Sequence, residues 1–117
     1  MKNSNSYELN IRIRIKLDGV VTYGTGISTL LQKIDKVGSI NAAVKELGMP
    51  YVKALSIIKN AEEKLGKKLL EKSIGGQGGG GSSLTEFGKY FVYQFHLMEE
   101  EVKDYTLQLM EKYFPEI

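Results

Sequence analysis

The 117-residue sequence predicts a mainly α-helical domain with a small β component, and three observations carry that expectation. Residues 8–17 alternate apolar and polar side chains and run into Asp18-Gly19. Three segments of helical periodicity follow in quick succession between residues 27 and 66. A glycine-rich stretch then leads into one long helical segment that opens at Thr85.

The alternating segment places Leu9, Ile11, Ile13, Ile15 and Leu17 on one side and Asn10, Arg12, Arg14 and Lys16 on the other. That is the pattern of a strand with one buried face. Asp18-Gly19 supplies the positive φ that a type I′ turn needs at both central positions, so Val20 to Tyr23 is the return strand of a hairpin over 7–23. Gly24 and Gly26 are expected to break it.

In the first helix Ile27, Leu30, Leu31, Ile34 and Val37 form one stripe, and Gly38 sits where a left-handed C-terminal cap belongs. Ser39 caps a short second helix that buries Ile40, Ala43, Val44 and Leu47 and stops at Gly48. Pro50 suits the first turn of the third, about 50–65, where its missing N–H costs nothing. Ala54, Ile57, Ile58, Ala61 and Leu65 make its buried stripe, and Gly66 ends it. With only Gly48 and Met49 between them, the second and third helices must cross steeply, as in a helix-turn-helix.

Leu69 to Ile74 is a short strand candidate, and Ser82 to Leu84 is another. Between them, glycine fills all but one position from Gly75 to Gly81. Gly76, Gly78 and Gly81 match the Gly-x-Gly-x-x-Gly spacing, but a dinucleotide site needs a second parallel strand and a Walker loop needs a lysine after its last glycine. Neither is present. Composition alone fits a flexible linker; the flanking strand candidates favour a wing over 67–84, whose bare backbone N–H groups can approach phosphates. Thr85 caps the final helix, 85–114, along which Phe87, Phe91, Phe95, Met98, Val102, Tyr105, Leu109 and Tyr113 recur at near-heptad spacing until Pro115. That seam is longer than one small core can cover, which points to a dimer contact through Phe91, Phe95, Met98, Val102, Tyr105 and Leu109.

Composition narrows the function classes. The chain fits a single domain, 1–117, and 42% hydrophobic with 26% charged residues is a globular composition. The N-terminus MKNSNSYELN lacks the apolar stretch of a secretory signal, and no apolar run is long enough to cross a membrane, so a cytoplasmic protein is expected. There is no cysteine, and His96 has no second imidazole, so no metal or other cofactor is expected. Glu62 and Glu63 are adjacent and diverge by about 100°, wrong for a shared proton. No acid, base and nucleophile converge, so an enzyme is not expected.

Charge is uneven. Residues 36–72 carry eight Lys and four Glu, whereas residues 86–117 carry three Lys against seven acidic residues. A basic middle suits a polyanion. Stepping about 100° per residue from Ala54 turns Val52, Ser56, Lys59, Asn60 and Glu63 outward on the third helix, with Lys53 on the flank and Tyr51 and Leu55 at the edge. Lysine reads guanine, asparagine reads adenine, and valine meets a thymine methyl. The candidate DNA contacts are Ser39, Asn41, Tyr51, Val52, Lys53, Ser56, Lys59, Asn60, Lys72 and Gln77.

The stretch from Gly38 to Gly88 resembles the N-terminal DNA-binding domain of the molybdate-dependent transcriptional regulators, the ModE family. Gly38-Ser39-Ile40, Ala42-Ala43, Leu47-Gly48-Met49, Tyr51, Gly75-Gly76-Gln77 with its four following glycines, Leu84-Thr85 and Gly88 carry the likeness. The portion from Ala42 to Gly66 is shared more widely with LysR-type regulators. The resemblance implies a winged helix-turn-helix that binds double-stranded DNA as a homodimer, with N- and C-terminal elements pairing across the two-fold. Pro50, Leu55 and Val52 stand where the family usually shows Ser, Trp and a basic residue, so its operator preference does not carry over. No counterpart of the oxyanion-binding domains of full-length members is expected in these 117 residues, and molybdate sensing is not implied for them. The rival reading is a winged-helix interaction module that pairs with a full-length regulator and blocks it.

Overall fold

A computed structural model describes residues 8–73 and 80–117. The order is β1 (Arg14–Leu17), β2 (Val20–Gly24), α1 (Thr25–Val37), α2 (Ile40–Leu47), α3 (Tyr51–Leu65), β3 (Leu70–Ser73), β4 (Gly81–Leu84) and α4 (Glu86–Tyr113). The strands form two antiparallel pairs, β1 with β2 and β3 with β4.

The first turn has the expected chemistry: φ is 52° at Asp18 and 77° at Gly19. The ladder then departs from strict alternation. Ile15 faces Tyr23 but Lys16 faces Val21, so Thr22 is an extra residue. This bulge turns Thr22 and Tyr23 inward together, and both are buried. The ladder begins at Arg14, although the alternation reaches back to residue 8. The reason is that β2 ends at Gly24, where the chain turns into α1, leaving residues 8–12 no strand to face. Ile13 is held instead by Thr25, whose N–H donates to the Ile13 carbonyl at 3.1 Å and whose Oγ1 accepts from the Ile13 N–H at 3.2 Å. A Cβ on Gly24 would come within 2.7 Å of that carbonyl, so glycine permits the approach. The helix therefore starts at Thr25, two residues before Ile27, and Gly26 lies inside it.

Between α2 and α3 the turn closes at Gly48, with φ 69°. Ser39 Oγ caps α2 by accepting from the Ala42 N–H at 3.0 Å. Ala43, Ala54 and Ala61 are fully buried, and their small side chains let the helix backbones approach closely. Leu30, Leu31, Ile34, Ile58 and Leu69 complete the centre of one core, closed by Tyr23 from β2 and Phe95 from α4.

β3 and β4 pair antiparallel on the two sides of the glycine-rich segment. Leu70 faces Leu84 and Ser73 faces Gly81; residues 74–79 lie outside the described residues. β4 is tied to the end of α1, where the Ser82 N–H donates to the Gly38 carbonyl at 2.8 Å and the Leu84 N–H to Asp35 Oδ1 at 3.0 Å. Thr85 Oγ1 then caps α4, accepting from the Gly88 N–H at 2.9 Å.

The 28 residues of α4 span about 42 Å at about 1.5 Å each. Of these only Gly88 and Phe95 are buried. The radius of gyration is 17.3 Å, against about 13 Å for a compact domain of this size, because the distal half of α4 projects beyond the core.

Candidate nucleic-acid interface

α3 presents one face to the core and one to solvent. Ala54, Ile58 and Ala61 are buried, whereas Val52 is 77% exposed and Lys53, Ser56, Lys59 and Glu63 are exposed. Tyr51 is exposed and Leu55 half-buried at the edge. A hairpin stands on each side of this helix.

On the wing side, Glu62 is the anchor. Its Oε2 accepts from the Leu69 and Leu70 N–H groups at 2.8 and 3.2 Å, and its Oε1 lies 3.7 Å from Lys68 Nζ. One side chain thus fixes where β3 leaves α3, and so the position of the exposed Lys72 on that strand. Gln77 lies outside the described residues.

On the other side, β2 packs along α3. Asn60 is half-buried, and its Nδ2 donates to the Val21 carbonyl at 3.3 Å. An asparagine amide retains a second N–H and its oxygen after one such bond. A cleft of about 640 Å³ lies between the hairpin and α3, with Arg12, Arg14, Lys53, Ser56 and Asn60 among its lining residues. Ser39 and Asn41 stand apart from this cleft at the start of α2; Asn41 is exposed, and the Ser39 hydroxyl is engaged as the cap. Arg12, Arg14 and Glu62 are the residues sequence reasoning left out of the site. Arg12 and Arg14 reach the cleft only through packing of the hairpin on α3, far along the chain, whereas Glu62 acts on backbone N–H groups seven and eight residues ahead, which no side-chain pattern marks.

Tyr23 joins this hairpin to α4. Its ring packs edge-on against Phe91 at 4.5 Å and Phe95 at 5.0 Å. Its hydroxyl is buried with no hydrogen bond of good geometry among the described residues. Burial pushes the phenol up to about 12, opposed by the nearby Ser28 hydroxyl and reinforced by the Glu99 carboxylate. Glu99 Oε2 itself accepts from Thr25 Oγ1 at 2.8 Å.

The apolar seam of α4 divides in two. Phe91 and Phe95 pack inside the chain on Tyr23. Beyond them, Met98, Val102 and Tyr105 are 39%, 37% and 61% exposed, and Leu109 is half-buried. A shallow groove runs along Leu97, Met98, Val102 and Tyr105. His96 is exposed, and no group of three metal-ligating side chains comes together among the described residues. No helix among them is long and apolar enough to cross a membrane.

Three short helices, a three-residue helix-turn-helix connection (Gly48 to Pro50, with Pro50 capping α3 from outside it) and a following strand pair define a winged helix-turn-helix domain, here with a second hairpin in front and a long helix behind. No family model matches the chain. It is 32% identical over 103 residues to the "Molybdenum transport protein ModE" of Azotobacter vinelandii, a match covering 85% of this chain and 37% of the relative. The "Transcriptional regulator ModE" of Haemophilus influenzae is 30% identical over 99 residues, with the same two shares. The "DNA-binding transcriptional dual regulator ModE" of Escherichia coli K12 is 32% identical over 72 residues, 62% of this chain and 28% of the relative. The chain therefore carries a ModE-family domain, and it spans little more than a third of the length of the first two relatives.

Proposed function

We propose that this chain is a sequence-specific DNA-binding transcription regulator that acts in the cytoplasm as a homodimer. In this reading α3 enters the major groove. Val52, Ser56 and Lys59 meet base edges from its outward face, with Lys53, Asn60 and Tyr51 at its margins. Ser39 and Asn41 at the start of α2, and Lys72 and Gln77 on the wing, meet the backbone. The observation that carries the reading is the uncovered outer face of α3, held between two hairpins while its inner face is locked in the core. The names of the relatives, which include DNA-binding and transcriptional regulators, support it. The chain acts as one domain, since a single core runs from β2 to α4.

The dimer contact falls on the distal half of α4. Met98, Val102, Tyr105 and Leu109 form an apolar strip that the described residues leave partly exposed, and pairing two copies about a two-fold axis would bury it. Two recognition helices would then lie on one face of the duplex. The deciding experiment is selection from a random duplex pool by the purified protein. The expected product is a pseudo-palindrome with half-sites about 34–36 Å apart or a multiple of that. Recovery of the pool without enrichment overturns the reading.

A further inference from the structure

The two hairpins beside α3 differ in charge. On the wing side Lys59, Lys68 and Lys72 share their surface with Glu62 and Glu71, and Lys68 is paired with Glu62. On the other side the cleft is lined by Arg12, Arg14 and Lys53, and no carboxylate lines it. Neither guanidinium has an ion-pair partner among the described residues, and both arginines are exposed. Three cations around one concavity repel each other, and an anion relieves that repulsion.

The cationic edge is also fixed in place. The Asn60 amide ties β2 to α3, and the paired bonds between Ile13 and Thr25 hold the strand between the two arginines. Donors that are already positioned lose little conformational entropy on binding. Arg12 and Arg14 alternate onto one side of the strand, on the margin of the face that bears Ser56 and Lys53. A duplex lying on that face carries a phosphate about every 3.4 Å along each strand, and the strands bordering the major groove are about 12 Å apart.

Resting on the DNA-binding reading, we infer that the β1–β2 hairpin is a second phosphate-binding arm. Arg12 and Arg14 engage the backbone of the strand on the side of α3 away from the wing. The recognition helix is thereby clamped between two hairpins, each contacting one wall of the groove.

The test is the salt dependence of duplex binding by the full chain. In Arg12→Ala/Arg14→Ala, affinity falls for every sequence, and the log–log slope becomes shallower by about 1.8, at about 0.9 for each phosphate no longer neutralised. The sequence enriched from a random pool stays the same. Arg12→Lys/Arg14→Lys, which keeps both charges, retains most of the slope, and unchanged thermal melting of both variants shows that the fold is intact. An unchanged slope in the melting-competent alanine variant overturns the second arm while leaving the regulator reading in place. Failure of the unmodified chain to bind duplex DNA overturns both.

Discussion

The ring of Tyr23 stands edge-on to that of Phe95, with centroids 5.0 Å apart and planes inclined at 72°. One residue comes from the N-terminal hairpin and the other from the C-terminal helix. Their contact makes the hairpin part of the domain core, and the same strand touches α3 through Val21 and Asn60. The elements beside DNA in the proposed complex are thus physically continuous with the helix proposed to hold the dimer together.

The buried Tyr23 hydroxyl makes stability sensitive to alkali. Its pKa is raised to about 12 in the folded chain, against about 10 when unfolded. Between those values the unfolded chain has released the proton and the folded chain keeps it. Stability therefore falls as pH rises from about 10 to about 12 and levels above that. In chemical denaturation, Tyr23→Phe should lose this share of the alkaline decline. Removing an unsatisfied hydroxyl should also leave the variant as stable as the parent at pH 7, or more so by about 1 kcal/mol. Equal alkaline sensitivity of the two proteins would contradict the assignment.

Glu62 should behave as a structural residue although it lies on the same helix as the proposed base readers. Glu62→Ala leaves the Leu69 and Leu70 N–H groups without their acceptor, at a cost of about 1–3 kcal/mol. Amide hydrogen exchange should accelerate first in β3 and β4. Exchange unchanged in the wing would show that its position does not depend on this side chain.

Readout and positioning should separate by mutation. Ser56→Ala is expected to relax sequence preference, whereas Lys72→Ala weakens binding to all duplexes about equally. Asn60→Ala should do two things: relax the preference, and lower stability by about 0.5–1.5 kcal/mol through removal of the bond to Val21. Pool selections with the three variants check this. An enriched sequence identical across Ser56→Ala, Asn60→Ala and the parent would place the base-reading face elsewhere on the domain.

Assembly should yield to substitutions that spare the core. Val102 is 37% exposed and Leu109 half-buried on the projecting part of α4. Val102→Asp plus Leu109→Asp should therefore keep a cooperative melt while producing a monomer that no longer prefers palindromic sites. Sedimentation velocity reads the result. A parent protein that sediments as a monomer at micromolar concentration would remove the dimer from the proposal.

The local elements were legible in the sequence because their signals are short-ranged. Asp18-Gly19, the Ser39 and Thr85 caps, and Gly48 each act within a few residues, and each stands where its chemistry required. The stripes of α1 and α3 were equally plain, since 3.6-residue periodicity belongs to one helix at a time. What the alternation of residues 8–17 could not reveal was where β1 stops pairing, because that depends on the point at which β2 turns into α1. Nor could the heptad-like spacing of α4 distinguish Phe91 and Phe95, which meet Tyr23, from Met98 and Val102, which stay exposed on the projecting half. Periodicity names a face but not its neighbour. Only the tertiary structure brought Arg12 and Arg14 to the flank of α3, because that relation rests on packing between elements that no local window contains; it also set Glu62 under the wing, since that bond goes to backbone N–H groups that carry no side-chain signature.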